Sequence, residues 1–395
     1  MPETPTLRPG STADLIALID AARAAGTRLD LRGGGSKAGC GAPVDPAATA
    51  VDMRGFAGIV DYDPAELVLT VRPGTLLTEV EALLADHGQM LAFEPFDHGP
   101  IHGRAAGDAT IGGVIAAGVA GSRRLSRGGA RDHLLGFRAV SGRGEAFVAG
   151  ARVTKNVTGY DLPKLACGSW GRLFALTELD IKTLPRGETA LTLALDGLTA
   201  PQAVAVMSRA AGSQAGVAAA AHHPETHHPA GGVTALRIEG FAPSVAARCA
   251  LLERLLADCG AVRVMEPAEA AALWDDLRTL GSLRNMPVLW RVVVPAAHVC
   301  RVTAALAPTP ARWVMDWAGG LLWVGCTAEG LPPATLRALA AAAGGHADLV
   351  RADEALRRAC PMRAALPPAL AALEARVRRA FDPAGLFETG RFGDD

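Results

Sequence analysis

The sequence predicts an α+β protein made of two successive parts, and three observations carry that expectation. In the first half, short alternating strands surround two glycine clusters, at 32–41 and 109–118. From about Gly187 the texture changes to repeated strand–helix units, for which an antiparallel sheet with helices on one face is the natural solution. A chain of 395 residues is also too long for one ordinary core, so two domains are the default.

Composition narrows the class. Half the residues are apolar, a fifth are charged and the net charge is −1, the balance of a globular protein with no bias toward nucleic acid or an anionic membrane. The seven cysteines are scattered without a C-x-x-C, which excludes a disulfide framework and an iron–sulfur or zinc site and suits a reducing cytoplasm. Pro2 and Glu3 stand where a signal peptide needs basic and then apolar residues. The longest apolar run, 111–120, is too short and glycine-rich to span a bilayer. A soluble cytoplasmic chain is expected, reaching a membrane only through partners.

The first helix is capped by Ser11 or Thr12, carries Leu15, Leu18, Ile19 and Ala22 on one face, and stops at Gly26. Thr27 to Leu31 alternates as a strand and feeds into Arg32-Gly33-Gly34-Gly35-Ser36-Lys37-Ala38-Gly39-Cys40-Gly41. Glycines let backbone N–H groups turn inward and approach a ligand, which suits a pyrophosphate; the plain alternative is a turn that binds nothing. Gly33, Gly35 and Ala38 also fit the dinucleotide fingerprint G-x-G-x-x-G/A, with Asp52 near the distance of its ribose-binding acid. That motif needs a helix to begin in the loop, and Gly39, Gly41, Pro43 and Pro46 forbid one. The loop therefore runs strand to strand, with Ala50 to Met53 as the next strand.

Leu67 to Val71 is a further strand, followed by a helix bearing Leu76, Val80, Leu83 and Leu84 that ends at Gly88. In the second glycine cluster Thr110 caps a helix of small residues, and Gly112 and Gly113 allow an anion or a planar ligand to approach; tight packing alone is the bland reading. Residues 122–127 read as a basic loop containing Arg123, Arg124 and Arg127. A hairpin of 135–140 and 145–148 leads to K-N-V-T-G-Y-D-L-P-K-L at 155–165 and G-S-W-G-R-L at 168–173, and the strand 176–184 closes the region.

In the second part, strands are expected at 189–195, 233–239 and 288–294, and helices at 201–211, 244–259 and 296–306. The 244–259 helix aligns Ala247, Leu251, Leu255 and Cys259. Trp313 to Trp317 and Leu321 to Gly325 form a hairpin around Gly319-Gly320, and Trp290, Trp313, Trp317 and Trp323 suit sheet packing. His222, His223, His227 and His228 read as a loop broken by Pro224 and Pro229, with no helix to hold ligands at i, i+4, so no metal is assigned.

Taken together and in order, R-G-G-G-S, T-I-G-G, G-Y-D-L-P-K-L and G-S-W-G-R-L resemble the vanillyl-alcohol-oxidase-type (PCMH-type) FAD-binding fold. The tail F-D-P-A-G-L-F at 381–387, with Gly390-Arg391, is similar to its 2-hydroxy-acid dehydrogenase branch, and within it to the FAD-binding E subunits of bacterial glycolate oxidase. The resemblance implies an FAD-binding domain of two subdomains at 1–186, an α/β cap domain with an antiparallel sheet at 187–365, and a C-terminal segment, 366–395, returning to the first domain. It places the pyrophosphate on Gly33, Gly34, Gly35 and Ser36, with Arg32, Lys37 and Gly41 in the same loop. Thr110, Gly112, Gly113 and Ala117 would line the other side, and the Gly171 to Phe174 backbone, including Leu173, would approach from the third motif. Ser36 stands where covalent members carry histidine, so the FAD is expected to be non-covalent.

The implied function is that of a flavoprotein subunit in a glycolate-oxidising complex, with a paralogous FAD-binding catalytic subunit, an iron–sulfur subunit and a small 2-hydroxy acid as partners. A base and an anion clamp should then lie beside the flavin ring. Arg123, Arg124 and Arg127 are the candidates for a carboxylate and Tyr160 for a hydroxyl, while no catalytic base is assigned. The second domain lacks the G-D-G-N-x-H signature of catalytic relatives, which supports a different class: a structural or electron-relay subunit whose partner does the chemistry.

Overall fold

The computed structural model describes residues 6–152, 159–224 and 232–393. Its first helix, α1 (Thr12–Ala25), begins with a capping box: Asp14 N–H donates to the Ser11 side chain, and the Asp14 carboxylate accepts from the Ser11 N–H. Gly26 ends it in the left-handed conformation at φ 65°. Leu15, Ile19 and Ala22 bury one face against β1 (Leu29–Arg32), β2 (Thr49–Asp52) and, from the far end of the chain, Leu386 and Phe387. β1 and β2 pair in parallel with no helix between them. The glycine loop makes the crossover, as its breaker density requires.

β3 (Ile59–Asp63) and β4 (Val68–Val71) form the edge of a five-stranded antiparallel sheet completed by Phe174–Lys182, Leu134–Ser141 and Ala146–Gly150. α2 (Leu77–Asp86) buries Leu77, Val80 and Leu84, and α3 (Ile111–Ala117) is capped by Thr110 and stopped by Gly118. Residues 124–127, expected as a loop, close into one short helical turn.

The second part is an eight-stranded antiparallel sheet. Its order is 262–264, 189–196, 233–240, 219–223, 312–316, 321–326, 288–293 and 346–351. Each half runs strand, helix, two strands, helix, strand, so the sheet is two βαββαβ units joined edge to edge where His222 faces Met315. Alternation divides its side chains between two cores. Leu193, Leu195, Leu236, Ile238 and Leu322 lie under the helices, whereas Ala194, Ala219, Ala221, Val314 and Trp323 join the core of the first part.

Two expectations are corrected here. His222 and His223 are not in a loop: they end the strand Ala219–His223 in the middle of the sheet, each 1% exposed. His222 Nδ1 lies 2.9 Å from Thr234 Oγ1, and burial pushes its pKa down to about 4. The short alanine run before them carried no visible alternation, which hid the strand. His227 and His228 lie outside the described residues. The 244–259 helix spans Ala242–Leu255 and buries Val245, Cys249 and Leu252 rather than the Ala247–Leu251–Leu255 row. Both rows repeat at helical spacing, and only the packing partner selects between them.

Candidate functional site

The two glycine clusters meet. A Cβ on Gly33 would stand 2.2 Å from Thr110 Oγ1, one on Gly34 1.6 Å from the Asp108 carbonyl oxygen, and one on Gly112 2.4 Å from Pro73 Cβ. No side chain fits those gaps, so Gly33 and Gly34 are needed to bring the loop after β1 against the entry to α3, and Gly112 to bring α3 against Pro73. Gly35, at φ 76°, turns the loop away. A cavity of about 370 Å³ opens between the two segments.

Arginines fix the loop from behind through its carbonyl oxygens. Arg104 donates to Gly35 O at 3.0 Å, Arg391 to Cys40 O at 2.8 Å and also to Lys37 O, and Arg357 to Gly39 O and Gly41 O at 3.2 Å. The N–H groups of Ala38 and Cys40 donate within the loop, at 3.0 Å to Gly35 O and Lys37 O; the N–H groups at its start do not. Those of Gly33, Gly34, Gly35, Ser36 and Lys37 donate to no acceptor among the described residues, although Ser36 and Lys37 are buried. Five consecutive residues that line the cavity and whose N–H groups have no acceptor among the described residues can form a nest for an anion. Burial pushes the Lys37 ammonium down to about 8, and it makes no hydrogen bond or ion pair among the described residues.

The rest of the cavity is a largely apolar slot. Leu31, Val44, Met53, Pro73, Ala116, Phe174 and Leu176 line it. The third motif is tied to α3 by the Trp170 N–H, which donates to Ala116 O at 2.8 Å, and Trp170 and Gly171 both take positive φ there. Trp170 Nε1 is buried without a partner among the described residues. A slot for a ring system, closed by a nest for a diphosphate, fits a flavin nucleotide.

Of the expected cofactor residues, the structure brings Arg32, Gly33, Gly34, Gly35, Ser36 and Lys37 to this cavity, with Thr110, Gly112, Gly113 and Ala117 opposite and Gly171 and Phe174 at the end. Gly41 and Leu173 are not among its lining. A Cβ on Gly41 would meet the Arg391 carbonyl at 2.5 Å, and Leu173 is buried in the core. Sequence reading missed Asp30, Met53, Trp170 and Arg391. Arg391 is the instructive case, because it arrives from the opposite end of the chain.

The substrate candidates fare differently. Arg123 is locked in a buried four-membered ion cluster, 3.1 Å from Glu94 and 2.8 Å from Glu239, and Arg237 completes the ring at 2.8 and 3.1 Å. Burial opposes the charge on Glu94, but Arg237 and Arg123 outweigh it and hold the carboxyl below its usual range. Arg124 stacks on Trp317 at 4.9 Å, Arg127 is exposed, and Tyr160 is 93% exposed. The structure does not bring these four together. A run of basic letters shows neither which arginines already have carboxylate partners nor which way a loop turns.

Near that cluster, Asp316 accepts the Ser122 hydroxyl and the Trp317 N–H, each at 2.7 Å, and burial raises its pKa to about 7. His298, at the start of a helix, engages Ala343 O, and His346 is exposed beside Asp348.

The fold is that of an FAD-binding flavoprotein, as the comparisons show. An FAD binding domain model matches residues 5–150. Alkyldihydroxyacetonephosphate synthase superposes with a TM-score of 0.68 at 15% identity, over 96% of this chain and 75% of that one, a likeness of fold. Glycolate oxidase subunit GlcE of Escherichia coli (strain K12) is 33% identical over 367 residues, 92% of each chain. The chain belongs to this glycolate oxidase E-subunit family. Glycolate oxidase subunit GlcD of Bacillus subtilis (strain 168) is 33% identical over 135 residues, 34% of this chain and 27% of that one. A D-lactate dehydrogenase of Anaerostipes hadrus is 28% identical over 42% of this chain and 32% of its own length.

Proposed function

We propose that the chain is the FAD-binding subunit of a glycolate oxidase complex, holding one non-covalent FAD in the cavity between β1 and α3. The observation that carries this is the row of five unmet N–H groups from Gly33 to Lys37 at the end of an apolar slot. Bound there, FAD supplies two-electron acceptance from a 2-hydroxy acid and onward transfer. The protein's own contribution is to hold the diphosphate on the loop, seat the rings against Phe174, Leu176 and Ala116, and exclude water. Ser36 has no imidazole to attach to a flavin ring. In this reading 1–186 and 366–395 hold the cofactor and 187–365 cover it.

A second reading, that a paralogous flavoprotein partner oxidises the substrate while this chain holds or relays electrons, is favoured by the state of the cap-side cations. Arg123 is spent on Glu94 and Glu239, and Tyr160 stands in solvent. An iron–sulfur subunit would complete the electron path and would bring the complex to a membrane. No helix among the described residues is long and apolar enough to cross one.

Two measurements test the proposal. Acid precipitation of the purified protein should leave yellow flavin in the supernatant; flavin in the pellet would refute the non-covalent reading. Anaerobic stopped-flow with glycolate decides between the two roles. Slow or absent bleaching of the isolated chain supports the relay, whereas fast saturable bleaching makes it the catalytic subunit.

A further inference from the structure

We propose that Lys37 meets the flavin nucleotide's diphosphate as the cavity's inward-facing cation, so that cofactor loading is coupled to uptake of one proton at its Nζ. This rests on the reading that the cavity holds FAD. Lys37 differs from every other cation at the loop. Arg104 and Arg391 are turned onto loop carbonyls, and Arg32 is engaged with Asp30. Lys37 is buried, lines the cavity, and has no acceptor or counter-ion among the described residues. Its Nζ lies 4.0 Å from where a Cβ on Gly113 would sit, so the ammonium spans from the loop to the opposite wall.

The groups facing Lys37 come from three segments. Cys40 follows it in the loop, Asp97, His98 and His102 lie on the segment behind, and Arg391 reaches in from the tail. Only Asp97 carries negative charge, and its carboxylate is occupied by the N–H groups of Gly99, Gly107 and Ala109. Burial keeps the Cys40 thiol protonated and holds His102 neutral, with a pKa of about 4. Burial likewise lowers His98, whose Nδ1 is buried without a partner among the described residues. The surroundings therefore do not neutralise Lys37, and burial brings its pKa in the free protein to about 8. A dianionic diphosphate would raise it, because opposite charge favours the protonated form.

The sign follows from linkage. Below pH 8 the free protein already carries the proton, and affinity is flat. Above pH 8 binding must take a proton from solvent, and the FAD dissociation constant should rise by up to about tenfold per pH unit.

The test strips flavin from the full chain and titrates it with FAD, and separately with ADP-ribose as a diphosphate diester lacking the flavin ring, from pH 6.5 to 9.5. Wild type should show the break near pH 8, with proton uptake visible as a buffer-dependent heat. Lys37→Met should bind both nucleotides about ten- to hundredfold more weakly at pH 7, with no break. Lys37→Arg should keep the affinity and remain flat to pH 9.5, which separates loss of charge from misfolding. A Lys37→Met protein with wild-type affinity and slope, or with weakened FAD but unchanged ADP-ribose binding, overturns the inference. Wild type that binds no FAD overturns the proposed function itself.

Discussion

The β1–α3 cavity and the cap-side arginine cluster are both rich in charge and both join distant segments, yet they are opposite in state. At the cavity, cations hold the loop by its carbonyls and leave five N–H groups and one ammonium unmet among the described residues. At the cluster, two arginines and two glutamates pair their charges within 3.1 Å. Unmet donors in a buried place cost stability and persist where something else satisfies them. Closed ion pairs do the reverse: they fix one part of the molecule against another with their charges already matched. The difference separates a binding site from a structural joint.

The sharpest way to break that comparison is at Gly34. Gly34→Ala puts a methyl group 1.6 Å from a backbone oxygen, a gap no rotamer can open. We expect the purified variant to lack the 450 nm flavin absorbance altogether; normal flavin content would mean that the two glycine clusters need not meet.

Arg123→Ala should have the opposite profile. Removing one partner of a buried ion cluster leaves the remaining charges uncompensated and should cost about 3–5 kcal/mol in urea unfolding. Flavin content should stay at the wild-type level where the variant is folded. Unchanged stability with altered substrate response would instead return Arg123 to the role its sequence context suggested.

How far each region was legible follows from the same contrast. The cavity is built from short contiguous motifs whose glycines are dictated by local geometry, so Gly33, Gly34, Thr110 and Gly112 could be picked out one segment at a time. Arg391 could not, because its role depends on the tail folding back beside α1 through Leu386 and Phe387. The cluster is made by tertiary pairing of residues 94, 123, 237 and 239, and no window of sequence contains it. His222 and His223 were misread for the same reason: their burial comes from neighbouring strands rather than from their own segment.

Asp316 offers a smaller test beside the cluster. Its pKa is raised to about 7, so its contribution to stability is present at low pH and is lost as pH rises from about 4 through 7. Asp316→Asn should remove that dependence and be more stable than wild type at pH 8, on the order of 1–3 kcal/mol. Parallel stability curves for the two proteins from pH 4 to 8 would show that Asp316 titrates normally.

The account stands on the claim that the Gly33 to Lys37 nest holds a diphosphate. The most direct test is to titrate the flavin-stripped protein with FAD and with riboflavin in the presence of saturating adenosine, which together carry both ring systems and no phosphate. Five charge-assisted hydrogen bonds, at roughly 1.5–3 kcal/mol each before the cost of desolvation, predict that riboflavin binds at least a hundredfold more weakly. Equal affinity for the two would contradict it.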